Sequence, residues 1–192
     1  MDRIKSLIGN YSTKVQVALR LYAMECFLDR LARSPWQDRF IVKGGALVTA
    51  LVGVALRATM DIDATVRGIA LDEVEIEKVI TRICAIEVGD GVTFRLKTID
   101  RIMDDCDYLG IRLSMETLFD RVRIPMKLDF STDDAVTPGA VEFRYPLLLG
   151  DGEIPLMAYN LETLLAEKLE TVVSSGMVNT RMRDFLQHIC SP

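Results

Sequence analysis

The apolar positions of this chain follow a helical period at both ends and a strand period between them. Over residues 12–33, Val17, Leu21, Met24, Leu28 and Leu31 recur at alternating spacings of three and four, which predicts a long amphipathic helix. Ser12 is placed to cap it, and Ser34-Pro35 ends it, because the residue before a proline is pushed out of the helical region. A short apolar strand, residues 40–42, then meets Gly44-Gly45, and an uncharged helix over residues 46–56 is expected to be enclosed on most sides. Residues 71–86 read as a second amphipathic helix with Val74, Val79 and Ile83 inward. Strict alternation over residues 122–130 puts Val122, Ile124, Met126, Leu128 and Phe130 on one face of a strand and Arg123, Pro125, Lys127 and Asp129 on the other. Further strands are expected over residues 92–96, 108–115, 141–148 and 154–157. A helix capped by Asn160 and stopped near Gly176 carries the stripe Leu161, Leu164, Leu165 and Val172, and a last helix begins near residue 179.

Chemistry concentrates where the Gly-Gly turn precedes a second strand. Asp61 and Asp63 are one residue apart, so a strand projects both to one side while Ile62 turns to the core. Two carboxylates held that close repel unless they share a cation or a proton, and Mg²⁺ suits such oxygen donors while keeping sites for phosphates. By itself a D-x-D is common on solvated turns. Its flanks strengthen it: diglycine after a strand lets backbone approach a phosphate, with the amides of the following helix aimed at it. Lys43 either touches a triphosphate or stands as an exposed strand-end lysine. Thr59 shares the aspartates' face if the strand has begun there, and Arg57 either holds a phosphate or pairs with a core carboxylate. Asp129 ends a polar strand face and either completes a carboxylate set with Asp61 and Asp63 or opens the S-T-D-D turn. The aspartates at 104, 105 and 107 mark a polar segment better read as an exposed loop than as a cation site. Lys168 falls in the apolar stripe of its helix, where an inward ammonium must snorkel, lose its proton or meet an anion, the carboxylate cluster and a bound triphosphate being the obvious ones and the phosphates the favoured contact. Arg181 and Asp184 lie one turn apart and either pair with each other or face the cleft.

Composition bounds the rest. At 192 residues, 49% apolar and 27% charged, the chain is long enough to bury a substantial core. Cysteines at 26, 84, 106 and 190 form no C-x-x-C pair and there is one histidine, which argues against zinc and for a reducing cytoplasm. No apolar run approaches a membrane span. A net charge of −5 and pI near 5.0 lack the general attraction of a non-specific nucleic-acid binder. Any nucleic-acid binding therefore needs a local basic patch, for which Arg112, Arg121, Arg123 and Lys127, then Arg181 and Arg183, are the candidates. Each taken singly is better read as solvated surface charge.

K-G-G-A-L at residues 43–47, R-A-T-M-D-I-D at 57–63, A-E-K-L at 166–169 and N-T-R-M-R-D at 179–184 resemble the motifs of the AbiEii/AbiGii toxin family, in order over nearly the whole chain. The resemblance implies an α+β nucleotidyltransferase-like fold, a mixed sheet flanked by helices. It further implies an N-terminal helical segment (residues 1–35), a catalytic core (36–158) and the start of a C-terminal helical region (159–192) that continues further in relatives. It implies a toxin of a type IV toxin-antitoxin or phage-defence system that moves a nucleotide from an NTP, with Mg²⁺, to an acceptor, tRNA among the candidates, and that meets an antitoxin protein. On this view Asp61, Asp63 and Asp129 hold metal, and Gly44, Gly45, Lys43, Arg57, Thr59, Lys168 and Arg181 serve the nucleotide. Asp184 then faces the cleft as a catalytic or metal-facing group. Arg183 and Gln187 depart from the lysine and aspartate usual there. Glutamine cannot act as a base, so the alternative expectation is an inactive, shortened module of the same fold that binds a protein partner. A sugar transferase using D-x-D is weaker, for want of a long βα framework before the motif.

Overall fold

The structure, a computed structural model, describes residues 12–52, 61–103, 109–132, 135–147 and 151–174. Its elements are α1 (Ser12–Ala32), β1 (Phe40–Lys43), α2 (Gly44–Val52), β2 (Asp61–Val66), α3 (Glu73–Cys84), β3 (Val92–Met103), β4 (Leu109–Phe119), β5 (Val122–Ser131), β6 (Val141–Pro146), β7 (Glu153–Ala158) and α4 (Leu161–Ser174). The strands form one mixed sheet in the order β3-β4-β5-β2-β1-β7-β6. β2 runs parallel to β5 and β1 parallel to β7, and the other neighbours are antiparallel. This is the α+β mixed sheet flanked by helices that the sequence implies.

One face of the sheet carries the main core. Phe40, Val42, Ile62, Ala64, Met126, Leu128 and Phe130 meet Met24, Phe27, Leu28 and Leu31 of α1 and Ile76, Val79, Ile80 and Ile83 of α3. Each such large side chain stabilises the fold by about 1.5–3 kcal/mol relative to leaving it in water. Phe40 and Phe130 stack edge to face across it with ring centroids 5.1 Å apart. On the opposite face a smaller cluster, Ile41, Leu47, Ala158, Tyr159 and Leu164, seats α4 over β1 and β7. β5 alternates as its sequence predicts, with Ile124, Met126, Leu128 and Phe130 buried.

Four expectations are corrected. α1 is buried on more than one stripe: Ala18, Leu19, Cys26, Glu25 and Arg30 are also enclosed, since the helix packs on the sheet and, at its side, on α3. Val74 points to water at 76% exposure, because Asp72 caps α3 and sets Ile76, Val79, Ile80 and Ile83 as the inward face. α2 starts at Gly44 itself, and while Ala46 and Leu47 are buried, Leu51 is half exposed, so enclosure stops short of its last turn. On α4 the inward face runs through Asn160, Thr163, Leu164, Glu167 and Lys168, while Leu161, Leu165 and Leu169 face outward at 57, 45 and 51% exposure. Among the described residues no helix is long and apolar enough to cross a membrane.

Candidate active site

Because successive residues of a strand point to opposite faces, burial of Ile62 and Ala64 sends Asp61, Asp63 and Thr65 to the face away from the main core. Register then lines up one row of ionisable residues across that face. Asp100 on β3 faces Arg112 on β4, Arg112 faces Asp129 on β5, Asp129 faces Asp63 on β2, and Asp63 faces Lys43 on β1. Past Lys43 the row reaches Glu167 on α4, whose Oε1 lies 3.5 Å from the Lys43 ammonium. Charge alternates along the row at every step but one. Asp129 and Asp63 are directly opposed like charges, an arrangement that destabilises a sheet unless something positive intervenes. Asp61 stands one row over, opposite Lys127.

The electrostatics agree with the geometry. Asp63 is pushed up to about 6 by burial first, then by Asp129 and Asp61, against the opposing help of a Gly45 N–H bond and the Lys43 charge. Arg112 donates two hydrogen bonds to Asp129, Nε at 2.8 Å and Nη2 at 2.6 Å. That fork, with Asp61 and Asp63 nearby, makes the guanidinium hold its proton more tightly still. The like-charged step therefore has a counter-ion on one flank, Arg112, and on the other, Lys43.

The diglycine turn has a local cause that its sequence did not disclose. Gly44 sits at φ +67°, and a Cβ there would overlap the Asp63 carboxylate, so the position requires glycine for space as well as for backbone conformation. The amide of Gly45, offered by sequence to a phosphate, here bonds Asp63, as suits a carboxylate at a helix N-terminus. Lys43 is not an exposed strand-end lysine. Its side chain is 16% exposed and its ammonium lies 5.6 Å from the Tyr159 ring centroid, within cation–π range. Tyr159 in turn shares a 2.6 Å hydrogen bond with Thr65, tying β2 to the start of α4. Asn160 caps α4 by accepting from the Thr163 N–H at 2.8 Å and fixes the preceding loop by donating to the carbonyls of Thr137 and Gly139.

The structure thus brings together Asp61, Asp63, Asp129, Lys43, Gly44 and Gly45. Lys168 lies half-buried on the helix that reaches the row, one residue after Glu167. Arg57, Thr59, Arg181 and Asp184, with Arg183 and Gln187, lie outside the described residues, as do the aspartates at 104, 105 and 107. Sequence reasoning assigned Arg112 to a nucleic-acid patch and passed over Glu167 and Tyr159. The signal for Arg112 was present in the alternation of β4, whose apolar Ile111, Leu113 and Met115 send it to the polar face. Which acid it would meet depends on strand register, which alternation alone leaves open.

The chemistry of the donor set fits a divalent cation. It consists of carboxylate oxygens on adjacent strands, in a place whose burial and like charges raise the affinity of Asp63 for anything positive. Among the described residues no three acidic, histidine or cysteine side chains already cage an ion. Mg²⁺ asks for only one or two carboxylates beside water and phosphate oxygens. A cavity of about 530 Å³ opens at the other end of β1 and β2, between Trp36, Arg39, Gly68 and Asp72. Asp72 is engaged there as the cap of α3, so the carboxylate row is the better candidate.

Comparison with known proteins bears on the same residues. A family profile described as nucleotidyl transferase AbiEii toxin, type IV TA system, matches residues 26–186. Among solved structures, JHP933 from Helicobacter pylori superposes with a TM-score of 0.53 at 18% identity, over 90% of this chain and 64% of its own. Another H. pylori protein, assigned as a nucleotidyltransferase, superposes with a TM-score of 0.50 at 17% identity, over 90% of this chain and 66% of its own. These likenesses establish the fold, and the chain spans slightly less than two thirds of the length of either. No curated protein matches by sequence.

Proposed function

The chain belongs to the AbiEii nucleotidyltransferase toxin family of type IV toxin-antitoxin systems, and from that premise we propose that it transfers a nucleotide from an NTP to an acceptor hydroxyl at the Asp61, Asp63 and Asp129 row. The observation that carries this reading is the single like-charged step, Asp129 against Asp63, in a row that otherwise alternates. Asp61 and Asp63 hold Mg²⁺ from β2, with Asp129 as the third carboxylate. A bound ion of this kind neutralises charge on the transferring phosphate. Lys43 and Lys168 supply positive charge toward the triphosphate from the α4 side, and Gly44, lacking a Cβ, leaves room for the Asp63 carboxylate. An acceptor hydroxyl attacks the α-phosphate and pyrophosphate leaves. Arg57, Thr59, Arg181 and Asp184 enter as the family motifs imply. RNA, tRNA included, is the acceptor class, Arg123 and Lys127 on the exposed side of β5 are cations available to it, and an antitoxin protein is the expected partner.

Incubation of the chain with each labelled NTP, Mg²⁺ and total RNA tests this reading. Label on RNA that is lost in Asp63→Ala is the expected result. A second reading, a partner-binding module of the same fold, draws on the outward ridge of Leu161, Leu165 and Leu169 on α4. It gives no labelling with any NTP and a stable complex with a protein partner that Leu165→Glu disrupts.

A further inference from the structure

Arg112 grips Asp129 by both carboxylate oxygens, at 2.8 and 2.6 Å. A carboxylate so engaged has its two best lone-pair directions committed to the guanidinium fork. Yet Asp129 is also the residue directly opposite Asp63, on the side where a cation relieves the repulsion. The two demands fall on the same pair of oxygens. Arg112 is not locked in place by its surroundings: its side chain is 39% exposed, whereas that of Asp129 is 17% exposed. Asp61 and Asp63 also attract it, neither hydrogen-bonded to it, and Asp100 faces it from β3.

We propose that Arg112 is a positioning residue that competes with the divalent cation for Asp129. The guanidinium and the ion would be alternative counter-charges for Asp129: were Asp63 and Asp129 to hold the ion, Asp129 would exchange one positive partner for another and the fork would be released. The inference rests on the metal reading of Asp61, Asp63 and Asp129. It adds that affinity for the ion is held down by a competitor built into β4, not set by the aspartates alone.

The test uses the full chain stripped with a chelator, Mn²⁺ alone as the probe, and electron paramagnetic resonance of free Mn²⁺ as the readout. Arg112→Gln is expected to bind Mn²⁺ about tenfold tighter than the wild type, a coupling at the low end of the usual range between sites. Arg112→Lys, which keeps the charge and loses the fork, falls between them. In an Asp129→Asn background Arg112→Gln changes the affinity little, because the contested carboxylate is gone. Equal or weaker binding by Arg112→Gln overturns the inference, and so does a gain that persists undiminished in Asp129→Asn, which makes Arg112 a distant screening charge only. Asp63→Asn separates this failure from that of the metal reading. If it binds Mn²⁺ as well as the wild type, the ion is not held by the row at all. If it loses the ion while Arg112→Gln leaves affinity unmoved, only the competition is wrong. Loss of the β-rich circular dichroism spectrum in Arg112→Gln transfers the decision to Arg112→Lys.

Discussion

Two arginine–aspartate forks in this molecule share their chemistry and differ in everything around them. Arg30 on α1 binds Asp90 at 2.6 and 2.8 Å, gives further bonds to the carbonyls of Cys26 and Val92, and lies 5.1 Å from the Phe94 ring centroid. Its side chain is 3% exposed. Asp90 in turn accepts the Val92 N–H, so the acid that starts β3 is bound from several directions. Arg112 holds Asp129 with the same fork, but two more carboxylates lie in its field. The first pair is balanced, and it fastens α1 to the edge of the sheet. The second has an excess of negative charge and is open to water. An ion pair with matched charge and several supporting hydrogen bonds, even with the Arg30 Nε–H left unpaired, reads as a fastening, and one with surplus charge reads as a place for a ligand.

The largest effect should come from the fastening. Arg30→Ala leaves Asp90 without its main partner beside an apolar core, and urea unfolding should show a loss of about 3–5 kcal/mol. A loss below about 1 kcal/mol would erase the distinction between the two forks. Next, and of opposite sign, is Asp63→Asn in chelator. The native carboxyl keeps its proton up to about 6 while the unfolded chain gives it up near 3.8, so the native state binds more protons between these values. Wild-type stability therefore falls as pH rises across that window and stays lower above it, by at most about 3 kcal/mol. Asp63→Asn lacks this slope and should be the more stable protein at neutral pH. A wild-type stability that climbs across the window would show that Asp63 is not crowded by negative charge.

Gly44→Ala comes third. The left-handed φ and the overlap with Asp63 together should cost about 2 kcal/mol, and pairing the change with Asp63→Ala should recover the part due to overlap. Equal losses in both backgrounds would mean that backbone conformation alone requires the glycine. Smallest is Arg112→Gln, whose exposed fork should change metal-free stability by less than about 1 kcal/mol. A small stability effect at Arg112 beside a large one at Arg30 is the comparison in its sharpest form.

The sequence disclosed the parts of this arrangement that are local. Alternation in β5 placed Asp129 on the polar face, and the spacing of Asp61 and Asp63 placed both on one side of β2, because a strand's period is fixed by its backbone. It disclosed less where several faces compete for burial. α1 is pressed on more than one side, so its single stripe understated the contact, and Val74 was read inward because any apolar residue near the stripe fits a loose helical period. On α4 the leucines at 161 and 165 outweighed Asn160, Thr163 and Glu167 in the pattern, although those polar residues face inward to make bonds. The meeting of Arg112 with Asp129, and of Lys43 with Asp63, depends on which residue of one strand stops opposite which residue of the next. That choice is made by the oily side of the sheet and by its loops, and leaves no mark near the charged residues themselves.

The pairing of β2 with β5 carries a consequence for how such a protein tolerates change. Asp129 is held beside Asp63 only because Leu128 and Phe130, its neighbours along the chain, are seated on the far side of the sheet. A slip by one residue would bury the acid and turn a phenylalanine toward the charged row. Substitutions hidden among the hydrocarbon side chains can thus undo the carboxylate row without touching any of its members.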